Sequence, residues 1–209
     1  MKTMRFSLLA AVTWLLATPA VYADSLVEGD AEAGKGRSIT CAACHGAEGN
    51  SANPLWPNLA GQGAPYIVQQ LANFKEGRRV NALMTSQAMM LSEQDMKDLA
   101  VYYESMPAVA QAVSDPSLVD RGRALYIGGN NDNGVPACIA CHGPAGRGNP
   151  GAAYPALNGQ HAAYTAKTLA DYASGERKAD AQVQIMETIA QRLTPEDIQA
   201  LASYVQGLK

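Results

Sequence analysis

The chain has 209 residues and carries 16 Lys and Arg against 19 Asp and Glu, a formal charge of −3 at pH 7. So mild an acidic balance excludes the concentrated basic face that nucleic-acid binding needs, while leaving room for a local charged patch that docks another protein. The length suits one ordinary domain or two small ones.

Lys2 and Arg5 open the chain, residues 8–17 form an apolar run broken only by Thr13, and Pro19 and Val21-Tyr22-Ala23 follow. This order of basic start, short apolar stretch and small residues reads as a secretory signal peptide, 1–23, cut after Ala23. The run is shorter than the roughly 20 residues of a spanning helix. Cleavage removes two basic residues and leaves 14 against 19 acidic ones, a charge of −5. The mature chain is therefore expected to be exported, soluble or loosely attached to a membrane partner.

Asp30 is placed to cap a first helix running toward Thr40, after which the chain reads Cys41-Ala-Ala-Cys44-His45. The same pattern returns as Cys138-Ile-Ala-Cys141-His142, so two five-residue motifs hold all four cysteines and two of the three histidines. A thioredoxin-type Cys-x-x-Cys needs a surrounding βαβ pattern, which is not visible, and zinc sites do not usually place histidine directly after the second cysteine. Cys-x-x-Cys-His reads instead as a covalent attachment site for haem c. On a helical turn, positions i, i+3 and i+4 point to one side. Cys41 and Cys44 can then bond the two vinyl groups while His45 reaches the iron, and Cys138, Cys141 and His142 repeat the arrangement. Two haem c groups per chain are expected.

The repeat extends beyond the motifs. "PNLAGQGAPYIVQQLANFKEGRR" pairs with "PALNGQHAAYTAKTLADYASGERK", and "LSEQDMKDLAVYYESM" with "LTPEDIQALASYVQGL". The chain reads as a tandem duplication, with modules at 24–106 and 118–209 and a linker at 107–117 bounded by Pro107 and Pro116. Periodicity is helical throughout, with no alternating strand pattern, so the fold class is all-α. Middle helices are expected at 66–75 and 164–173. Ser92 with Asp95 resembles a capping box, and Thr194-Pro195 marks the matching start. The last helices carry Met96, Leu99, Ala100 and Tyr103 on one face, and Ile198, Leu201, Ala202 and Val205 on the other copy's face. Gly36 and Gly122 sit inside the first helices, where close approach of the last helix would justify them. Modules this small have little core of their own, so the chain without haem is expected to fold poorly.

A sixth iron ligand is expected from methionine. After Cys138 the only one is Met186, eight residues before Thr194. The first half offers Met84, Met89, Met90, Met96 and Met106, and Met84 lies eight residues before Ser92. The repeat favours Met84, with Met89 or Met90 as alternatives if the loop departs from its copy. His161 pairs with Gly63 in the repeat and reads as a hydrogen-bonding or surface residue, though it is the one group able to compete with Met186. Pro57 and Pro155 match after the motifs, where a carbonyl could accept from Nδ1 of His45 or His142. Tyr66, Tyr164, Arg79 and Arg177 also match, and could bond haem propionates or simply pack.

With these residues placed, the sequence resembles the cytochrome c4 family of periplasmic di-haem cytochromes c, from "GDAEAGKG" at Gly29 to "YVQGLK" at the end. "PACIACHGPAGRGN" and "GQHAAYTAKTLADY" are especially close to that family's second domain. The resemblance implies a tandem pair of class I cytochrome c domains, ligand methionines at Met84 and Met186, and haem propionate edges that approach across the domain interface. It implies one-electron transfer in a respiratory chain, from membrane quinol-oxidising complexes toward a haem–copper terminal oxidase, rather than an enzyme. A di-haem peroxidase needs one exchangeable iron position, against which the matched methionines speak. A haem subunit of a larger dehydrogenase is not separated from a free carrier by sequence.

Overall fold

The computed structural model describes residues 25–177 and 181–209, so the signal peptide at 1–23 lies outside the described residues. Asp30 accepts from the backbone N–H groups of Glu32 and Ala33 and starts α1 (Ala31–Arg37). Ser38 interrupts the spiral, and α2 (Ile39–His45) carries the first motif. There follow α3 (Ala64–Lys75), α4 (Ala82–Met89) and α5 (Glu93–Ser105). In the second half a 3₁₀ turn at Pro116–Leu118, capped by Asp115, leads directly into α6 (Val119–Gly128). The second motif is on α7 (Ile139–His142), followed by α8 (Ala162–Ala173), α9 (Ala181–Ala190) and α10 (Pro195–Gln206). Among the described residues there is no strand, only isolated bridges at Asn130–Val135 and Asn149–Tyr154. The connection from 107 to 115 is irregular, and Gln111 ties it to the carbonyl of Gly159.

Each half is organised by a crossing of its first and last helices, α1 on α5 and α6 on α10. The apolar faces meet as expected: Met96, Leu99, Ala100 and Tyr103 are buried, as are Ile198, Leu201, Ala202 and Val205. The crossing glycine of the first half is Gly34, not Gly36. A Cβ on Gly34 would lie 2.1 Å from the carbonyl oxygen of Asp98, and one on Gly122 would lie 2.2 Å from that of Ala200. A Cβ on Gly36 would meet nothing within 4 Å. Spacing from the haem motif does not identify this residue, because the second half inserts nine residues between its glycine and its first cysteine: seven positions separate Gly34 from Cys41, but sixteen separate Gly122 from Cys138. The extra chain forms the loop closed by the Asn130–Val135 bridge.

Both final helices begin with a complete capping box, Ser92 with Asp95 and Thr194 with Asp197. Asp197 also accepts from Nε and Nη2 of Arg121 at 2.9 and 2.6 Å, and only 2 % of it is exposed. Burial alone would push its carboxyl up, but the bonds from Arg121 and Thr194 win and hold it below the ordinary value. A carboxylate depressed in the folded state contributes stability that is complete above the unfolded value of about 3.9 and is lost as pH falls through the folded value. Asp197→Asn is therefore expected to lower stability at pH 7 by about 1–3 kcal/mol, the cost of unpairing buried polar groups. The deficit against the parent should shrink as pH falls below about 4; denaturant titrations at several pH values measure it.

Candidate functional site

The two motif helices present their residues in the same way. His45 and His142 are buried, and their Nδ1 atoms lie 2.8 and 2.9 Å from the carbonyl oxygens of Pro57 and Pro155. A carbonyl can only accept, so each ring carries its proton on Nδ1 and keeps the Nε2 lone pair for a metal. Burial lowers the pKa of both imidazoles, with the proline carbonyl bond opposing it in part, and the neutral ligating form is favoured. All four cysteines are free. Burial pushes the Cys41 thiol up and that of Cys138 up to about 11, so both are held as neutral thiols in apolar surroundings.

The segments before the capping boxes, which the sequence located only by distance, are the helices α4 and α9. Met84 is half-buried, on the face of α4 that also carries the fully buried Ala88 one turn on. Met186 is half-buried on the matching face of α9, packed with Tyr172 and the fully buried Ala190. Met89 and Met90 turn outward, 59 % and 68 % exposed. Met96 is buried on α5, and Met106 packs against the core formed by α3 and α5.

The halves meet face to face through paired hydrogen bonds. Gln160 accepts from the N–H of Asn58 and donates to its carbonyl, at 2.9 and 3.0 Å. Gln62 does the same to Ala156, the repeat counterpart of Asn58, at 2.8 and 3.0 Å. The duplicated Gly-Gln pairs at 61–62 and 159–160 were the sequence signal for this clamp, though repetition alone could not say that each glutamine serves the opposite half. His161 is buried in the same interface, its Nε2 2.9 Å from the carbonyl of Ser51. The four matched Tyr and Arg residues also exchange partners: Arg79 donates to the Tyr164 hydroxyl at 2.9 Å and Arg177 to that of Tyr66 at 2.7 Å. Two nitrogens of Arg177, Nε and Nη1, are buried without a protein partner. A buried cation with idle donors fits the carboxylates of a haem.

A helical module that fixes a free imidazole Nε2 beside two free cysteines is built to carry haem c, and a chain with two such modules is a di-haem c-type cytochrome. The family model for cytochrome c matches residues 31–107 and again 119–209. Cytochrome c4 of Pseudomonas aeruginosa is 46% identical over 180 residues, covering 86% of this chain and 89% of that protein. Cytochrome c4 of Azotobacter vinelandii is 45% identical over 208 residues, 95% of this chain and 98% of its own. The crystal structure of reduced recombinant cytochrome c4 from Pseudomonas stutzeri superposes with a TM-score of 0.83 at 45% identity, over 87% of this chain and 100% of that one. The chain belongs to the cytochrome c4 family, and like that family it is a di-haem electron carrier.

Proposed function

We propose that the chain carries single electrons through the periplasm, from a quinol-oxidising membrane complex toward a terminal oxidase, with His45 and Met84 binding one iron and His142 and Met186 the other. Cys41 and Cys44 hold the first haem covalently, and Cys138 and Cys141 the second. The modules span 24–106 and 118–209, joined by 107–117, behind a leader at 1–23. The observation that carries this reading is the duplicated pair of proline-locked imidazoles, each matched by a methionine on an inward helix face. Held by such a histidine and methionine, each haem would supply one-electron chemistry and leave no position for substrate. The chain's own part is to stay still. Pro57 and Pro155 keep the proton on Nδ1, so neither imidazole turns as the charge on the iron changes. Gln62 and Gln160 bind the halves to each other, which keeps the distance between the redox sites constant. No described helix is long and apolar enough to cross a membrane, which accords with a carrier that docks and leaves.

The test uses the purified holoprotein, reduced, with membranes that contain a haem–copper oxidase. Cyanide-sensitive reoxidation is expected, together with re-reduction by membranes supplied with quinol. Failure of reoxidation with either haem would remove the chain from this respiratory position.

A further inference from the structure

The two arginines of the interface share more than a symmetric exchange. Arg79 Nη1 and Arg177 Nη2 both donate to one atom, Oε1 of Gln70, at 3.0 and 2.7 Å. Each guanidinium also lies over an aromatic ring of its own half, Arg79 over Phe74 at 4.5 Å and Arg177 over Tyr172 at 4.6 Å. Gln70 is buried and Arg177 is only 4 % exposed. Among the described residues neither arginine is in an ion pair with a carboxylate.

Two cations held on one neutral oxygen repel each other, and guanidinium cannot relieve this by losing a proton. The surplus positive charge is felt nearby: burial pushes the Tyr164 phenol up, but Arg79 and Arg177 together pull it down to about 8. Such a site calls for an anion that the described side chains do not supply, and the idle Nε and Nη1 of Arg177 are donors for it. The carboxylates of the haems are the anions that the fold brings. The two-fold relation between the halves fails at the shared acceptor, since the counterpart of Gln70 is Thr168. A threonine is too short to reach both guanidinium groups, so the acceptor that the two arginines share comes from residue 70.

We propose that Gln70 is a positioning residue that joins Arg79 and Arg177 into one carboxylate-binding site shared by both haems, so that the two reduction potentials are set in common. This rests on the di-haem reading above. Positive charge beside a haem favours the reduced form, so loss or neutralisation of the shared pair acts on both potentials in the same direction, whereas a change of one axial ligand acts on one.

The experiment is a spectroelectrochemical titration of the holoprotein with Gln70→Glu and Gln70→Leu. Glutamate keeps an acceptor for both guanidinium groups but neutralises part of their charge; leucine removes the acceptor and lets them part. In both variants the two midpoint potentials are expected to shift downward together. Mass spectrometry should still find two haems, and the thioether band should stay whole, which keeps the di-haem reading separate from this one. A shift confined to one potential would overturn the shared site. So would unchanged potentials alongside a lowered melting temperature, which would leave Gln70 a packing role only.

Discussion

Met84→His is expected to lower one reduction potential by roughly 0.2 V or more, within the ~0.8 V span that axial ligands command, and to leave the other in place. A thioether favours ferrous iron and raises the potential of a His/Met site; a second imidazole favours ferric iron and takes that advantage away. The choice of Met84 rests on two separate observations. It stands eight residues before Ser92, as Met186 stands before Thr194, and it shares an inward helix face with Ala88, as Met186 does with Ala190. Met90, at 68 % exposed, can be exchanged for leucine with no expected change in the thioether absorption band. Met186→His should mirror Met84→His on the second haem. Loss of the first haem's thioether band in Met90→Leu, with the band retained in Met84→His, would falsify the assignment.

The parts of this architecture that depend on neighbours in sequence were legible in it. The caps at Asp30, Ser92 and Thr194, the motif turns and the faces of α5 and α10 all follow from contacts three or four residues apart, and all stand in the structure. The carbonyls of Pro57 and Pro155 were legible too, because both prolines open the matched segments that follow the motifs. What crosses between the halves was not. An identical spacing in two modules is equally compatible with Arg79 serving Tyr66 or Tyr164, and only the packing of one half on the other selects the exchange. Gln70 escaped notice for the converse reason: its counterpart is threonine, so a search for matched residues passes over it. α4 and α9 hid because their apolar residues face both inward and outward, with Leu83 and Met89 exposed beside Met84, which blurs the helical stripe.

The misplaced glycine leads to the largest expected effect on stability. At Gly34 and Gly122 the obstacle to a side chain is the backbone of the opposing helix, the carbonyls of Asp98 and Ala200. A flexible side chain could turn aside, but a carbonyl inside a helix cannot, so the whole crossing must open. Gly34→Ala and Gly122→Ala are each expected to cost about 3 kcal/mol, at the upper end of overpacking. For a module of this size that is a drop of ~12–24 °C in the melting temperature of the holoprotein. Gly36→Ala is the control on the same helix. It has open space for its methyl group, and removal of a helical glycine is expected to stabilise by up to about 1 kcal/mol. The sign of the effect thus reverses within two residues, which neither helix propensity nor a general intolerance of α1 to substitution can produce. In Gly34→Ala the disturbance has a short path to the metal site, since only Ser38 separates α1 from the helix that carries Cys41, Cys44 and His45. Calorimetry of the three alanine variants decides the matter: equal melting temperatures for Gly34→Ala and Gly36→Ala would mean that the α1–α5 crossing is not as close as described.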